Sequence, residues 1–298
     1  MDIHAPLLAG LVDYAGLFPP ASLPLDEALA DYDKHLRGAD AAMLGRFVLP
    51  VAALDKLVPW LETTWNAERP LRLSLLCSLD DLPAVGSFVG ARSAVTVEAL
   101  EMRLPADHMA GDWLDEVSAL LARGDLADLE LYTELPPDRD AELILALGQR
   151  QSQHPMRRLG AKLRCGGVTK DLVPSDERIA GVLVMARDAG VPLKFTAGLH
   201  HPVRGMDFTE DVPMHGFLNV YGAALLAHAE DLSSVALAPI LADTDPQSFG
   251  CDDGGFSWRD HKVTAEQLAI LRANFLGSYG SCSFDDPVTD LRSLALLK

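Results

Sequence analysis

Two neighbouring apolar runs carry basic side chains that could act together on a carbonyl group. Lys162 and Arg164 belong to the run Leu159–Arg164, and Lys194 belongs to the run Val191–Ala197. A lysine amine attacks a carbonyl carbon only when it is neutral, and nearby cations or apolar walls destabilise its charged form. If the two runs are adjacent strands, Lys162 and Arg164 lie beside Lys194. The pattern predicts carbonyl or enol chemistry, with Lys194 as nucleophile or base and Lys162 assisting it.

Carboxylates and histidines near these runs could move protons during such a reaction. Glu98 and Glu134 lie in two other β-rich runs, and His200 and His201 follow the run of Lys194 directly. An unshifted imidazole titrates near neutrality, and a positioned carboxylate can also accept or donate a proton. We expect these four residues to act as general acids or bases.

A further set of polar residues could hold an anionic substrate, because arginine binds carboxylates and phosphates bidentately and a loop of small residues can present backbone N–H groups to an oxyanion. The stretch 277–284 is such a loop, although it reads equally well as the entry turn of a helix. The expected substrate-binding residues are Arg46, Arg164, Arg204, His215, Asn219, Ser281 and Ser283.

A metal site is the alternative interpretation of the same histidines. His200 and His215, together with Glu134 or Glu98, could bind Zn²⁺ or another divalent ion and leave one position open for water. The chain would then be a metal-dependent lyase, hydrolase or isomerase. The lysine mechanism requires no metal and no cofactor.

Strand-like and helix-like runs alternate along most of the chain at a spacing of about 30 residues, which is typical of βαβ units and a parallel sheet. The β-rich runs are Gly45–Val51, Leu71–Cys77, Ala94–Leu100, Asp128–Glu134, Leu159–Arg164 and Val191–Ala197. The helical patterns between them are Ala53–Thr64, Trp113–Ala122, Asp140–Gln151 and Ser175–Ala189. No GxGxxG or GxxxxGK[ST] motif follows a strand, which disfavours nucleotide-binding folds.

The pattern predicts a single TIM-like (β/α) barrel over residues 41–298, preceded by a helical extension over residues 1–40. The part after residue 198 is irregular, with a helix at 216–230 and a hairpin at 247–262, and the seventh and eighth strands have no clear position. Because side chains alternate along a strand, several charged side chains should lie inside the barrel. They either form structural ion pairs or line a functional site at the carboxyl ends of the strands. These residues are Arg46, Lys162, Arg164, Lys194, Glu98, Glu130 and Glu134.

Residues 161–198 resemble the lysine-bearing segment of deoxyribose-phosphate-type class I aldolases. The segment reads Ala161-Lys162-Leu163-Arg164, then a helix that ends at Ala189-Gly190, then Val191 to Gly198 with Lys194 in the strand. The resemblance implies a lyase that forms a Schiff base between Lys194 and the substrate carbonyl, with Lys162 as the cationic neighbour.

Composition restricts the possible partners. The chain has 298 residues, of which 49% are hydrophobic, and a formal net charge of −18. An apolar fraction this high excludes a disordered chain, and the negative charge disfavours nucleic acids and anionic membranes. We expect a soluble, bacterial-type cytoplasmic enzyme for a small anionic metabolite, because no run is long enough to span a bilayer and the four cysteines form no CxxC pair.

Two further expectations remain open at this stage. The hydrophobic segment Asp13–Pro20 could pack over one end of the barrel or against a second subunit, which would make the protein a homo-oligomer. The same barrel could also serve as a binding protein without catalytic activity.

Overall fold

Eight strands form a closed barrel in which strands that follow one another in the chain are neighbours, as in the predicted TIM-like fold. A computed structural model describes residues 5–61, 63–122, 126, 128–153, 158–167, 169–207, 212–252 and 254–297. The barrel strands are β1 (Val12–Tyr14), β2 (Leu44–Pro50), β3 (Leu71–Leu76), β4 (Val95–Arg103), β5 (Glu130–Glu134), β6 (Leu159–Arg164), β7 (Leu193–Thr196) and β13 (Leu276–Ser281).

Helices follow most of these strands. Ser175 caps the helix Asp176–Ala189 by accepting a hydrogen bond from the N–H of Arg178, and Gly190 ends this helix in the left-handed region at φ +64°. The helices are α1 (Ala5–Leu8), α2 (Leu25–Leu36), α3 (Val58–Leu61), α4 (Leu82–Gly90), α5 (Ala110–Leu121), α6 (Asp140–Gln153), α7 (Asp176–Ala189), α8 (Phe217–Ala229), α9 (Ser234–Ala242), α10 (Ala265–Asn274) and α11 (Asp285–Ser293). None of them, within the described ranges, is long and apolar enough to cross a membrane.

The segment between β7 and β13 carries the irregular elements. β8 (Gly205–Asp207) and β9 (Val212–Met214) form a two-stranded antiparallel pair, and the segment also contains α8, α9 and α10. The predicted hairpin is confirmed as β10 (Phe249–Asp252) and β11 (Gly255–Trp258), to which β12 (His261–Thr264) adds a third antiparallel strand. Asp253, in the predicted turn, lies outside the described residues.

The expected helical extension over residues 1–40 is wrong at its centre. α1 is a single turn, after which Gly10 adopts a φ of +55°, and Val12–Tyr14 then pairs in parallel with Tyr279–Ser281. The apolar residues before Asp13 therefore lead into the first barrel strand, and only α2 matches the expected helix. A strand of three residues is too short to show a period of two, which explains the error.

The chain divides into two compact units, Met1–Gly45 with Leu163–Lys298, and Arg46–Lys162. In the first unit, aromatic side chains of β7 and β13 pack on helix α8. Phe195 meets Tyr221 at a ring distance of 5.0 Å, and Tyr279 stacks on Phe217 at 5.4 Å. Side chains alternate along a strand, so the intervening residues of β7 and β13, Lys194 among them, face the barrel interior.

Candidate active site

Lys194 lies in a buried hydrogen-bonded group inside the barrel. Its side chain is 1% exposed, and its Nζ donates to Oδ2 of Asp13 and, at 3.3 Å, to Oγ of Ser278. Ser278 in turn donates to the same carboxylate oxygen at 2.7 Å. The three residues come from β7, β1 and β13, which are consecutive in the barrel. A nucleophile, a proton acceptor and a hydroxyl thus meet at one point.

The surroundings of β1 hold Asp13 in this position. Tyr14, on the opposite face of the strand, donates to the carboxylate of Asp31 on α2 at 2.8 Å. Gly45 of β2 lies against the Asp13 carboxylate, and a Cβ built on that glycine would overlap Oδ1 of Asp13 and approach the carbonyl oxygen of Val12 to 3.2 Å. Only glycine at residue 45 leaves room for the carboxylate as it stands.

The unit Arg46–Lys162 contains a second buried lysine with its own carboxylates. Lys162 Nζ lies 3.0 Å from Glu101 Oε2 and 2.9 Å from Glu134 Oε2, and Ser74 donates to the other oxygen of Glu101 at 2.5 Å. Arg103 reaches Glu134 at 3.3 Å from the outside. This row of alternating charges could relay protons, which is the role predicted for Glu134, while Lys162 is expected to assist Lys194.

Arg46 and Glu98 belong to a different network of the same unit, whose position favours a structural role over the substrate-binding and catalytic roles expected for them. Arg46 bridges Glu98 at 2.8 Å and Glu130 at 2.7 Å, while Arg72 also binds Glu98 at 2.6 Å. Arg158 completes the set at 3.3 Å from Glu130. Arg72, Glu130 and Arg158 stand at or just before the amino ends of their strands, which is the stability face of a TIM barrel.

The arginines of this network keep Glu98 ionised. Burial opposes its ionisation, but the hydrogen bonds from Arg72 and Arg46 outweigh that effect and lower the pKa of Glu98 below its ordinary value of 4.5. A carboxyl group held in its charged form between two guanidinium groups is a poor proton donor near neutral pH. Glu98 therefore serves the structure of the barrel.

His200, but not His201, has a partner at the end of a barrel strand. Nδ1 of His200 lies 3.9 Å from Sγ of Cys282, which follows β13 directly. Burial raises the pKa of the Cys282 thiol above 9.0, so the sulfur is protonated at neutral pH. His201 is 57% exposed and binds Asp290 of α11 at 2.6 Å. This surface ion pair favours a structural role for His201 over the expected catalytic one.

Three residues predicted to bind substrate instead hold the loop after β7. Arg204 contacts Asp176 at 2.7 Å and Nδ1 of His215 at 3.0 Å, and His215 Nε2 donates to the carbonyl oxygen of Pro174 at 2.8 Å. Asn219 is 0% exposed, accepts from the N–H of Arg204 and donates to two backbone carbonyls near the end of α9. These contacts favour a structural role for Arg204, His215 and Asn219 over the substrate binding expected for them.

The same contacts bear on the alternative metal site. Burial lowers the pKa of His215 below 6.5, and the Pro174 carbonyl fixes the proton on Nε2 while Arg204 donates to Nδ1. Neither nitrogen of His215 has a lone pair left for a metal ion. Within the described part of the chain, no three His, Cys, Asp or Glu side chains form a group that could hold a metal. The alternative in which His200, His215 and Glu134 bind a metal stays a prediction, although the hydrogen bonds of His215 disfavour it as a ligand.

Ser281 and Ser283 stabilise the turn that leads into α11. Ser281 Oγ accepts from the N–H of Ser283 at 3.3 Å, and Ser283 Oγ accepts from the N–H of Asp286 at 3.2 Å. These contacts fit the interpretation of this stretch as the entry turn of a helix. They use backbone N–H groups that an anion would need for binding.

Sequence reasoning missed Asp13, Ser278 and Glu101. Asp13 lay in a segment interpreted as helix, and Ser278 in one interpreted as a loop. Glu101 was missed because the predicted run Ala94–Leu100 ends one residue before it, and because the pairing of β3 with β4 shifts by one residue at Glu98. Such a bulge exchanges the two faces of the strand beyond it, so that Glu101 and Glu98 both contact interior partners. The one sequence signal that pointed to Asp13 was the position of the pair Asp13-Tyr14 directly after an apolar run.

Comparison with known proteins gives a partial structural similarity. No protein-family model matches the sequence, and no curated protein matches it. Among solved structures, the chain is similar to the deoxyribose phosphate aldolase from Aeropyrum pernix, which is described as having a unique tetrameric structure. The similarity has a TM-score of 0.46 at 14% identity and covers 67% of this chain and 81% of the aldolase.

Proposed function

We propose that this protein is an aldolase-like barrel enzyme that forms a Schiff base between Lys194 and a small anionic carbonyl compound. The observation that supports this function is the contact of the buried Lys194 amine with the Asp13 carboxylate and the Ser278 hydroxyl. A buried amine next to a proton acceptor can be deprotonated without the proton first entering bulk water.

The geometry supports the following sequence of steps. Asp13 takes one proton from the Lys194 ammonium, and the free amine adds to the carbonyl carbon to give a carbinolamine. Asp13 then returns the proton to the departing hydroxyl group, so that one water leaves and an iminium ion remains on Lys194. Ser278, bonded to both groups, can pass the proton between them. The iminium ion withdraws electrons from the adjacent carbon, where a C–C bond can break or form.

Trapping with borohydride tests this proposal, because the reagent reduces an iminium ion to a stable amine. The protein is incubated with pyruvate, acetaldehyde or glyceraldehyde 3-phosphate, reduced, digested and mapped by mass spectrometry. We expect one adduct on Lys194 with at least one of these compounds and no adduct in Lys194→Met.

Two control variants make the result specific. Lys34→Met removes a lysine that is 67% exposed, and Lys162→Met removes the other buried lysine. Both variants should still form the adduct on Lys194. An adduct that forms on Lys162 instead, or aldol turnover that survives in Lys194→Met, would overturn the proposal. The expected cytoplasmic location and self-association stay predictions.

A further inference from the structure

Arg164 stands at the carboxyl end of β6 on the same interior face as Lys194. The N–H of Cys165 donates to the carbonyl oxygen of Thr196 at 2.8 Å, which sets Arg164 level with Thr196 at the end of the adjacent β7. Phe195 packs on helix α8, so its neighbours Lys194 and Thr196 face the barrel interior. Residues at the same level of adjacent parallel strands point to the same side of the sheet, so Arg164 faces the interior as well.

Arg164 differs from the other interior cations because it has no carboxylate partner among the residues that the structure describes. Its Nε is buried, and with the residues that the structure describes its guanidinium group makes neither a hydrogen bond through Nε nor an ion pair. Lys194, Lys162 and Arg46 each contact at least one carboxylate. A half-buried guanidinium without a counter-ion loses hydration without compensation, and an anion that binds it bidentately supplies what is missing.

The position where TIM barrels commonly bind phosphate is unsuited to a dianion here. That position lies at the loops after the seventh and eighth strands and at a nearby helix amino terminus. In this chain the helix after β13 is α11, whose first turn carries the carboxylates of Asp285 and Asp286. The N–H of Asp286 is already bonded to Ser283. Two negative charges and an occupied donor disfavour phosphate at this end.

We infer that the anionic group of the substrate is a carboxylate and that Arg164 binds it, so that the substrate class is a short oxo acid. This inference rests on the proposed function of Lys194. Lys194 is two residues below the level of Arg164 on the next strand, which separates the two Cα atoms by about 8 Å for ordinary strand geometry. Two long side chains at that separation can hold the carboxylate and the carbonyl of one small molecule.

The test compares three probes in the borohydride assay: pyruvate, its neutral methyl ester and dihydroxyacetone phosphate. Arg164→Met should raise the pyruvate concentration needed for half-maximal trapping about 10- to 100-fold, the usual effect of losing a charge-assisted bidentate contact. The methyl ester should be unaffected within about twofold, since it has no charge for the guanidinium to bind. Arg164→Lys should restore part of the pyruvate affinity, because it keeps the charge but not the bidentate geometry.

Arg46→Met is the matched control, because Arg46 is an interior arginine with carboxylate partners. It should lower the thermal midpoint without changing the preference for pyruvate over the ester. Arg164→Met should leave the midpoint within about 2 °C, because it breaks no ion pair with a described residue. Equal losses for pyruvate and the ester in Arg164→Met, or a wild-type preference for the phosphate probe, would overturn the inference.

A binding measurement separates this inference from the proposed function. Calorimetry with pyruvate is performed on Lys194→Met, which cannot form the Schiff base. Binding that disappears when Arg164→Met is added establishes the carboxylate site even if no probe is ever trapped on Lys194. If trapping on Lys194 does not depend on Arg164, the result supports the proposed Schiff base and refutes the proposed carboxylate site.

Discussion

The contact between Lys194 and Asp13 should be among the most costly in the molecule to break. Both side chains are 1% exposed, so Asp13→Asn removes a carboxylate from beside an ammonium that water does not reach. Removing one partner of a buried ion pair typically costs about 3–5 kcal/mol. For a chain of this length, a loss of that size lowers the thermal midpoint by about 2 °C per kcal/mol, or about 6–10 °C in all.

A double-mutant cycle measures this coupling directly. The free energy of unfolding is determined by chemical denaturation at pH 7 for Asp13→Asn, for Lys194→Met and for the double variant. The double variant has neither buried charge of the pair. Its loss in the free energy of unfolding should therefore be smaller, by at least about 2 kcal/mol, than the sum of the losses in the two single variants. Thermal midpoints from calorimetry provide an independent reading.

The control pair is Asp40 with Arg292, which meet at 2.7 Å and of which the Arg292 side chain is 44% exposed. Asp40→Asn should cost no more than about 1 kcal/mol, because exposed pairs are screened by water. Additive losses for Asp13→Asn and Lys194→Met, or a loss in Asp13→Asn no larger than in Asp40→Asn, would refute the reasoning that the buried contact holds this site together.

Three other changes have defined outcomes. Gly45→Ala places a methyl group against the Asp13 carboxylate and should lower the rate of trapping at Lys194 at least about 10-fold, whereas Gly181→Ala, with open space around it, should leave that rate unchanged. His201→Ala should change neither trapping nor, beyond about 0.5 kcal/mol, the free energy of unfolding, because its ion pair is exposed. Burial lowers the pKa of His228 to about 4 from 6.5, so the unfolded chain takes up the proton first as the pH falls. The stability that neutral His228 provides is therefore complete above pH 6.5 and declines towards pH 4, and denaturation midpoints of His228→Leu should be flatter over that range.

The strands that sequence reasoning found are those with apolar residues in alternation or in continuous runs. β2 to β7 correspond to the six predicted runs, and the barrel followed from their spacing. β1 and β13 close the barrel and were missed, since β1 has three residues and β13 contains Gly277 and Gly280, which have low strand propensity. Their strand character comes from pairing with each other and with β7, which no local window of sequence contains.

The site was predicted only in part for a related reason. Lys194 was found because alternation within one strand sets it apart from Leu193 and Phe195. Its partner Asp13 is 181 residues away in the chain, and no periodic pattern connects the two. The same parity argument selected Glu98 together with Glu134, although register places Glu98 among the arginines and Glu134 beside Lys162. Charge type and parity do not specify the height of a residue along the barrel axis.

We propose that the Lys194 amine becomes covalently attached to an oxo acid. A crystal structure of the protein after incubation with pyruvate and reduction with borohydride tests this proposal. We expect continuous density from Nζ of Lys194 to the reduced three-carbon unit, with the carboxylate of that unit on the Arg164 guanidinium. An unmodified Lys194 that keeps its contact with Asp13, or an adduct on another lysine, would contradict it.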